Sequence, residues 1–209
     1  MKKMNQLVAA TAITLFAGAA SATIIIDNST TGWYNQGLGD LADTYDLPFF
    51  PAENVTEGDP IVNPLAEPDL SSTPALGNWL DGDFTLGSWT GPSTVIPGTW
   101  AINSETAIVY EFSLAEASNV TVDIGVDNGV FAWFNGEYAF GAMSSGGSFP
   151  GEYSFGTTLS AGTHFLQLLR EDHGGSTGYD IKVNAVPEPA TLALLGLGLL
   201  GMGLARRKG

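Results

Sequence analysis

The sequence predicts an all-β protein, a jelly-roll-like β-sandwich preceded by an N-terminal signal helix and followed by a short C-terminal transmembrane helix. Three observations predict the sandwich. Apolar and polar residues alternate after residue 105, Gly and Asn separate the alternating runs, and no amphipathic helical pattern competes with them. The length of 209 residues, with 44% apolar and 14% charged side chains, suits one folded domain with appendages.

Residues 1–22 have the three parts of a secretory signal peptide. A basic start precedes an apolar run that reaches Ala20, and small side chains occupy the positions up to Ala22. We expect signal peptidase to cut after Ala22 and to leave Thr23 as the first residue of the mature protein.

Residues 23–105 are predicted to form a loop-rich, Pro-rich part that wraps the sandwich. Eight of the 11 prolines lie between Pro48 and Pro97, and the apolar positions are scattered. We expect long loops here, with a short strand at the start of the region, another near Trp79–Leu86 and another around Trp100.

Residues 106–186 are the predicted antiparallel sandwich core. Apolar side chains occupy every second position in two runs, which is typical of half-buried strands: Ile108, Tyr110, Phe112 and Leu114, then Val120, Val122, Ile124 and Val126. Five further strands are expected at Gly129–Asn135, Glu137–Gly141, Gly151–Phe155, Thr163–Arg170 and Tyr179–Ala185. Asn135-Gly136 predicts a hairpin with a type I′ turn, because both turn positions need positive φ.

The charges are distributed unevenly along the sequence. There are 22 acidic and seven basic side chains, a net charge of −15, and five of the basic residues lie at the two termini. Residues 23–186 alone have 21 acidic and two basic side chains, a net charge of −19. This balance argues against nucleic-acid binding, which depends on cationic contacts to phosphate. The absence of cysteine excludes disulfides, thiolate metal sites and cysteine nucleophiles.

Residues 187–209 have the pattern of a membrane stop. Pro187-Glu188-Pro189 precedes an apolar run that ends at Ala205, and Arg206, Arg207 and Lys208 follow. As a helix this run would span about 24 Å, which is short for a hydrocarbon core of roughly 30 Å. Basic residues at both ends and an acidic body between them predict that the body is exported.

This tail, with Val186 in front of the Pro-Glu-Pro motif, is similar to the C-terminal sorting signal of PEP-CTERM proteins. The resemblance covers about 23 residues. It implies recognition by an exosortase, a membrane-embedded enzyme of cysteine transpeptidase type that would remove the tail. It also implies transient anchoring in the inner membrane of a Gram-negative bacterium, followed by a place at the cell surface or outside the cell.

The end of the second alternating run carries the first candidate ligand site. The stretch with Asp127, Asn128, Trp133 and Asn135 resembles the strand-loop-strand of protective-antigen-type jelly-roll sugar binders. In that family an acidic pair at this loop binds Ca²⁺, which coordinates sugar hydroxyls. The second acid is an amide here, so a weak Ca²⁺ site at Asp127 and Asn128 stands beside the alternative of a simple turn.

A second candidate site follows the strand predicted at Thr163–Arg170. Arg170, Glu171, Asp172 and His173 stand before two glycines, and together they could serve a metal ion or sugar hydroxyls. The alternative is a polar turn in which Arg170 pairs with a neighbouring acid.

The sequence favours a non-enzymatic exported protein associated with extracellular polysaccharide or matrix, with Ca²⁺ as its one candidate cofactor. No G-x-S-x-G or H-E-x-x-H motif is present, and His164 within a strand is expected to be structural. A glycoside hydrolase needs two facing carboxylates, and 21 acids neither nominate nor exclude such a pair. The alternatives are a purely structural acidic matrix protein and a carbohydrate-active enzyme.

Overall fold

The computed structural model describes residues 21–41, 62–71, 73–144, 147–172 and 174–188. Both predicted terminal helices lie outside these residues, as do six residues of the predicted sites: Ala20, His173, Pro189, Arg206, Arg207 and Lys208. Within the described ranges, no helix has the length and apolar character needed to cross a membrane. Residues Ser21–Pro187 form one compact unit.

The described ranges contain nine β-strands, and every pairing between them is antiparallel. The strands are β1 (Thr23–Asp27), β2 (Thr31–Gly39), β3 (Trp89–Val95), β4 (Glu105–Leu114), β5 (Ser118–Phe134), β6 (Glu137–Ser144), β7 (Tyr153–Leu159), β8 (Gly162–Glu171) and β9 (Gly178–Pro187). Short 3-10 helices occupy Pro74–Leu76 and Trp79–Asp81. The prediction of an all-β, sandwich-type fold is confirmed.

Strand β5 belongs to both sheets of the sandwich. Its residues 118–127 pair with β9 and β7, in a sheet with the order β1-β9-β5-β7 that we name sheet A. Its residues 128–134 pair with β8 and β6, in a sheet with the order β6-β5-β8-β4-β2-β3 that we name sheet B. The change of sheet falls at the cis peptide bond between Asp127 and Asn128.

The inner faces of the two sheets pack against each other and bury alternate residues. The even-numbered apolar residues of β5 lie in this core along the whole strand: Val120, Val122, Ile124, Val126, Val130, Ala132 and Phe134. Four residues of β4 join them: Ile108, Tyr110, Phe112 and Leu114. The alternation predicted for both strands is therefore confirmed.

A second apolar core covers the outer face of sheet B. Phe131 and Trp133 of β5 point into it and are fully buried. The segment of the two 3-10 helices lies over them, with the Trp79 ring edge-on to Trp133 at 5.4 Å between ring centroids. Gln167 Nε2 donates hydrogen bonds to the main-chain oxygens of Trp79 (3.2 Å) and Leu80 (2.9 Å), which fixes this outer layer to β8.

Several predicted strands differ from the observed ones. The strand expected near Trp79–Leu86 is a 3-10 helix and a loop, and the region around Trp100 is a loop. Backbone with positive φ at Gly77, Gly82 and Gly87 turns the polypeptide too often there for an extended strand. Strand β2 was not predicted, and the two runs expected on either side of Asp127 form one continuous β5.

The predicted hairpin at Asn135-Gly136 is confirmed. It joins β5 to β6, and the φ angles of 53° and 80° are those of a type I′ turn. The three strands β1, β2 and β3 come from residues before position 105, so the region predicted as loop-rich also supplies part of both sheets.

Candidate functional site

The candidate site lies where β5 passes from sheet A to sheet B. Asp127 and Asn128 are 6% and 1% exposed there, and the Asn128 Nδ2 donates a hydrogen bond to Asp127 Oδ1 at 3.0 Å. The Ser176 hydroxyl lies 3.4 Å from Asp127 Oδ2. The strand pairing places Gly178 of β9 opposite Asp127 and Ser144 of β6 opposite Asn128. Residues from three strands and the loop before β9 therefore converge on this point.

A second carboxylate, that of Glu152, belongs to the same site. The Ser144 hydroxyl donates to Glu152 Oε1 at 2.8 Å, while Oε2 is a buried atom without a hydrogen-bond partner among the described residues. Burial raises the pKa of the Glu152 carboxyl above its usual value, the Ser144 hydrogen bond opposes this rise, and the nearby negative charge of Asp127 adds to it. We name Asp127, Asn128, Ser144, Glu152 and Ser176 the junction site.

The chemistry of the junction site is that of hard oxygen donors. The Asp127 carboxylate accepts from Asn128 and Ser176, and the Glu152 carboxylate accepts from Ser144, the residue opposite Asn128. Among the described residues, neither Arg170 nor Lys182 is a hydrogen-bond or ion-pair partner of either carboxylate. Such oxygens suit Ca²⁺, which takes six to eight of them. Among the residues that the structure describes, no group of three or more acidic or histidine side chains could hold a metal ion. The remaining ligands would have to come from water or from a bound molecule.

Arg170 lies between the two sheets and is fully buried. Its Nε donates to Thr106 Oγ1 at 2.7 Å and its Nη1 to the Pro97 oxygen at 2.9 Å. Its Cζ lies 4.0 Å from the Trp100 ring centroid and 4.6 Å from that of Tyr179, which is cation–π geometry. The ligand role expected for Arg170 is corrected, because a guanidinium enclosed in this way offers no donor to a molecule in solution.

Glu171 and Asp172 are also fully buried. Glu171 pairs with Gly129 of β5, and a Cβ on that glycine would lie 2.5 Å from Glu171 Oε1, so the carboxylate occupies the space that a larger residue would need. Asp172 Oδ2 accepts hydrogen bonds from the backbone N–H groups of Asn103 (3.0 Å) and Gly174 (3.2 Å). These bonds hold two loops together, and the third predicted partner, His173, lies outside the described residues.

The other two predicted ligand residues lie away from the junction site. Trp133 is fully buried in the outer core and its Nε1 donates to Glu67 Oε1 at 2.9 Å, so its ring has no face for a sugar. Asn135 stands in the hairpin turn, seven residues along from Asn128, a strand distance of about 23 Å. Its side-chain oxygen accepts from the Phe165 N–H at 2.9 Å, which fixes the turn to β8.

The residues of the junction site that sequence reasoning missed are Ser144, Glu152 and Ser176. Glu152 is 25 positions from Asp127 in the sequence and is brought there by the pairing of β7 with β5. No local pattern distinguishes it from the other acids of the body, so the sequence contains no signal that would select it.

The predicted signal-cleavage site and the Val-Pro-Glu-Pro sequence lie at the two ends of the sandwich. Ser21 and Ala22 are exposed, and Thr23 begins β1. Val186 and Pro187 are the last residues of β9, and the half-buried Glu188 follows them.

These features define an antiparallel β-sandwich whose last strand runs into the Val-Pro-Glu-Pro sequence. Residues 185–208 match the PEP-CTERM protein-sorting motif. The protein thus carries the signal of an exosortase-sorted exported protein, which is anchored transiently in the membrane before processing. A search of the curated proteins finds no match.

Similar solved structures include two glucuronidases and an antifreeze-protein domain. The FMN-binding β-glucuronidase of Faecalibacterium prausnitzii L2-6 is 14% identical over 80% of this chain, with a TM-score of 0.38. The β-glucuronidase of Bifidobacterium dentium, complexed with coumarin-3-O-glucuronide, is 10% identical over 84% of this chain, with a TM-score of 0.38. The protein spans 23% and 31% of these two enzymes. The PA14 domain of the MpAFP antifreeze protein is 19% identical over 85% of this chain and 87% of its own length, with a TM-score of 0.33.

Proposed function

We propose that this exported sandwich binds extracellular polysaccharide or matrix at the junction site, with Ca²⁺ as the bridge between protein carboxylates and ligand oxygens. The observation that carries the proposal is that strand pairing brings two carboxylates to one place: Asn128, bonded to Asp127, lies opposite Ser144, whose hydroxyl donates to Glu152. Like charges placed together in this way repel, and a divalent cation would remove the repulsion.

The charge of the whole body supports a cation-bridged mode of binding. A net charge of −19 over residues 23–186 repels acidic polysaccharides, so direct attraction cannot hold them. Ca²⁺ held by two protein carboxylates keeps coordination positions for sugar hydroxyls or sugar carboxylates. Extracellular calcium modules bind the ion at about 10⁻⁴ to 10⁻³ M, and we expect the junction site to fall in this range.

Calcium binding is tested by isothermal titration of CaCl₂ into the processed protein recovered from the producing cells. We expect Asp127→Asn to lower the affinity at least tenfold. Asp123→Asn is the matched control, since it removes the same charge from the same strand, four residues earlier, where the carboxylate only accepts a hydrogen bond from Ser154. Equal calcium affinity in the two variants would contradict the proposed site.

Polysaccharide binding is tested by pull-down with the exopolysaccharide of the producing cells. Binding should require Ca²⁺, be lost with EDTA, and be lost in Asp127→Asn but not in Asp123→Asn. Calcium binding without any polysaccharide binding would favour the alternative of a structural acidic matrix protein that bridges through cations alone.

We also propose that the protein is not an enzyme. Asp127 is 6% exposed, and its carboxylate accepts a hydrogen bond from its neighbour, which suits a ligand to a cation better than an acid or base that must reach a glycosidic bond. Release of reducing sugar from the same polysaccharide, lost in a single carboxylate variant, would overturn this part of the proposal.

A further inference from the structure

The end of β9 and the beginning of the sorting motif are the same residues. Val186 and Pro187 pair with Asn119 and Ser118 of β5, so half of the Val-Pro-Glu-Pro sequence is part of sheet A. Both side chains are half-buried. Strand β9 therefore includes the first two residues of the Val-Pro-Glu-Pro sequence.

The other edge of β9 is occupied almost as far along the strand. Thr23, the expected first residue of the mature protein, pairs with Ala185. Up to Ala185 the backbone of β9 lies between β1 and β5, and beyond it Val186 and Pro187 are paired with β5 alone. Access to the backbone therefore increases in two steps toward the C-terminus, first after Ala185 and then after Pro187.

Strand pairing matters for proteolysis because an enzyme that binds an extended peptide uses the backbone N–H and C=O groups of that peptide. Groups already bonded in a sheet are not available to it. Freeing the last two residues of β9 opens only the end of one pairing, whereas cutting before Ala185 requires removal of a strand from the interior of sheet A.

We propose that the sorting enzyme cuts on the C-terminal side of Pro187, and that the pairing of Val186 and Pro187 with β5 sets this limit. The cut breaks one C–N bond. The acyl carbon passes to water or to an amine, and the tail leaves as an amine that takes up a proton. The mature protein then runs from Thr23 to at least Pro187, which agrees within two residues with the compact unit Ser21–Pro187. This inference rests on exosortase processing and is independent of any ligand at the junction site.

The position of the cut is read by intact mass and by sequencing of the C-terminal peptide of the processed protein. We expect a product that starts at Thr23 and ends at Pro187, Glu188 or Pro189. A C-terminus at Val186 or earlier would overturn the proposal. A full-length tail on the exported protein would contradict processing itself, and neither result depends on polysaccharide binding.

The role of the sheet is tested by inserting Gly-Ser-Gly-Ser between Ala185 and Val186 in the full-length protein. The insertion leaves the motif intact but releases it from β5, so we expect a larger processed fraction or products that end before Pro187. The control is the same insertion between the exposed Ala115 and Glu116, in the turn from β4 to β5. If both insertions leave the processed fraction and the C-terminus as in the unmodified protein, strand pairing does not set the limit.

Discussion

The outer faces of the two sheets lie in different surroundings, and β5 passes through both. In sheet A its odd-numbered residues Asn119 and Thr121 are exposed to solvent. In sheet B the odd-numbered Phe131 and Trp133 are fully buried under the segment that contains Trp79. In sheet A, β5 is therefore covered on its inner face only, whereas in sheet B both of its faces are covered. The junction site lies at the change from one sheet to the other.

The largest effect is expected from Trp133→Ala, which removes the centre of the outer core. A truncation of this size costs about 3–5 kcal/mol of unfolding free energy, and Glu67 also loses its hydrogen-bond donor. Urea unfolding, followed by circular dichroism, measures this loss of unfolding free energy. Thr121→Ala on the exposed face of sheet A should change the unfolding free energy by about 0.5 kcal/mol or less. Similar losses in the two variants would show that the outer layer contributes little.

The contrast between the two faces also explains which parts of the fold could be predicted. Every second residue of β4 and β5 lies in the inner core, so the alternation of apolar residues predicts its members from the local sequence. Examples are Ile108, Tyr110, Val120 and Val122. The outer layer has no period, because Trp79 and its neighbours become buried by contact with a strand more than 50 residues away. The site divides in the same way: Asp127 and Asn128 stand out in the sequence, whereas Glu152 acquires its role from the pairing of β7 with β5.

The next largest effect is expected at Arg170. It is fully buried, whereas Lys182, the other basic residue of the body, is exposed. Arg170→Met leaves the buried Thr106 hydroxyl and Pro97 oxygen without their donors and removes the cation–π contacts, so we expect a loss of about 2 kcal/mol. Lys182→Met, on the exposed face of β9, is the matched control and should lie within about 0.5 kcal/mol of the unmodified protein. Thermal unfolding compares them, and a neutral Arg170→Met would mean that apolar packing can replace the cation.

A smaller effect, dependent on pH, is expected at the junction. The folded state raises the pKa of Glu152, so it binds the proton more tightly than the unfolded state does, and stability falls as the pH rises through the unfolded pKa of about 4.3 toward the folded value. Glu152→Gln should therefore be more stable than the unmodified protein at pH 7 in EDTA and equal to it at pH 3. Urea unfolding at the two pH values measures the difference.

Two controls sharpen the measurement at Glu152. Glu137→Gln, at an exposed position beside the hairpin turn, should not reproduce the gain at pH 7. If Ca²⁺ binds at the junction site as proposed, saturating Ca²⁺ should stabilise the unmodified protein more than Glu152→Gln, which lacks the carboxylate. A gain at pH 7 that persists at pH 3 would mean that packing, and not the charge of Glu152, is responsible.

The smallest effect is expected in two turns of the same kind that lie in the two regions. Asp27 accepts hydrogen bonds from the N–H (2.9 Å) and hydroxyl (2.6 Å) of Ser29 at the edge of sheet A, and Asp83 accepts the same pair, at the same distances, from Thr85 in the layer over sheet B. These bonds lower the pKa of each carboxyl, so their contribution to stability is present above the unfolded pKa and is lost as the pH falls through the folded value. Ser29→Ala and Thr85→Ala should each raise the pKa of their own partner toward its usual value, measured by NMR titration, with little change in stability at pH 7. Asp27 also accepts a hydrogen bond from the Thr30 hydroxyl at 3.3 Å, which Ser29→Ala leaves in place, so we expect Asp27 to keep the lower pKa of the two in these variants. If Asp27 instead titrated at or above Asp83 in these variants, the local hydrogen bonds would not be what sets the two pKa values.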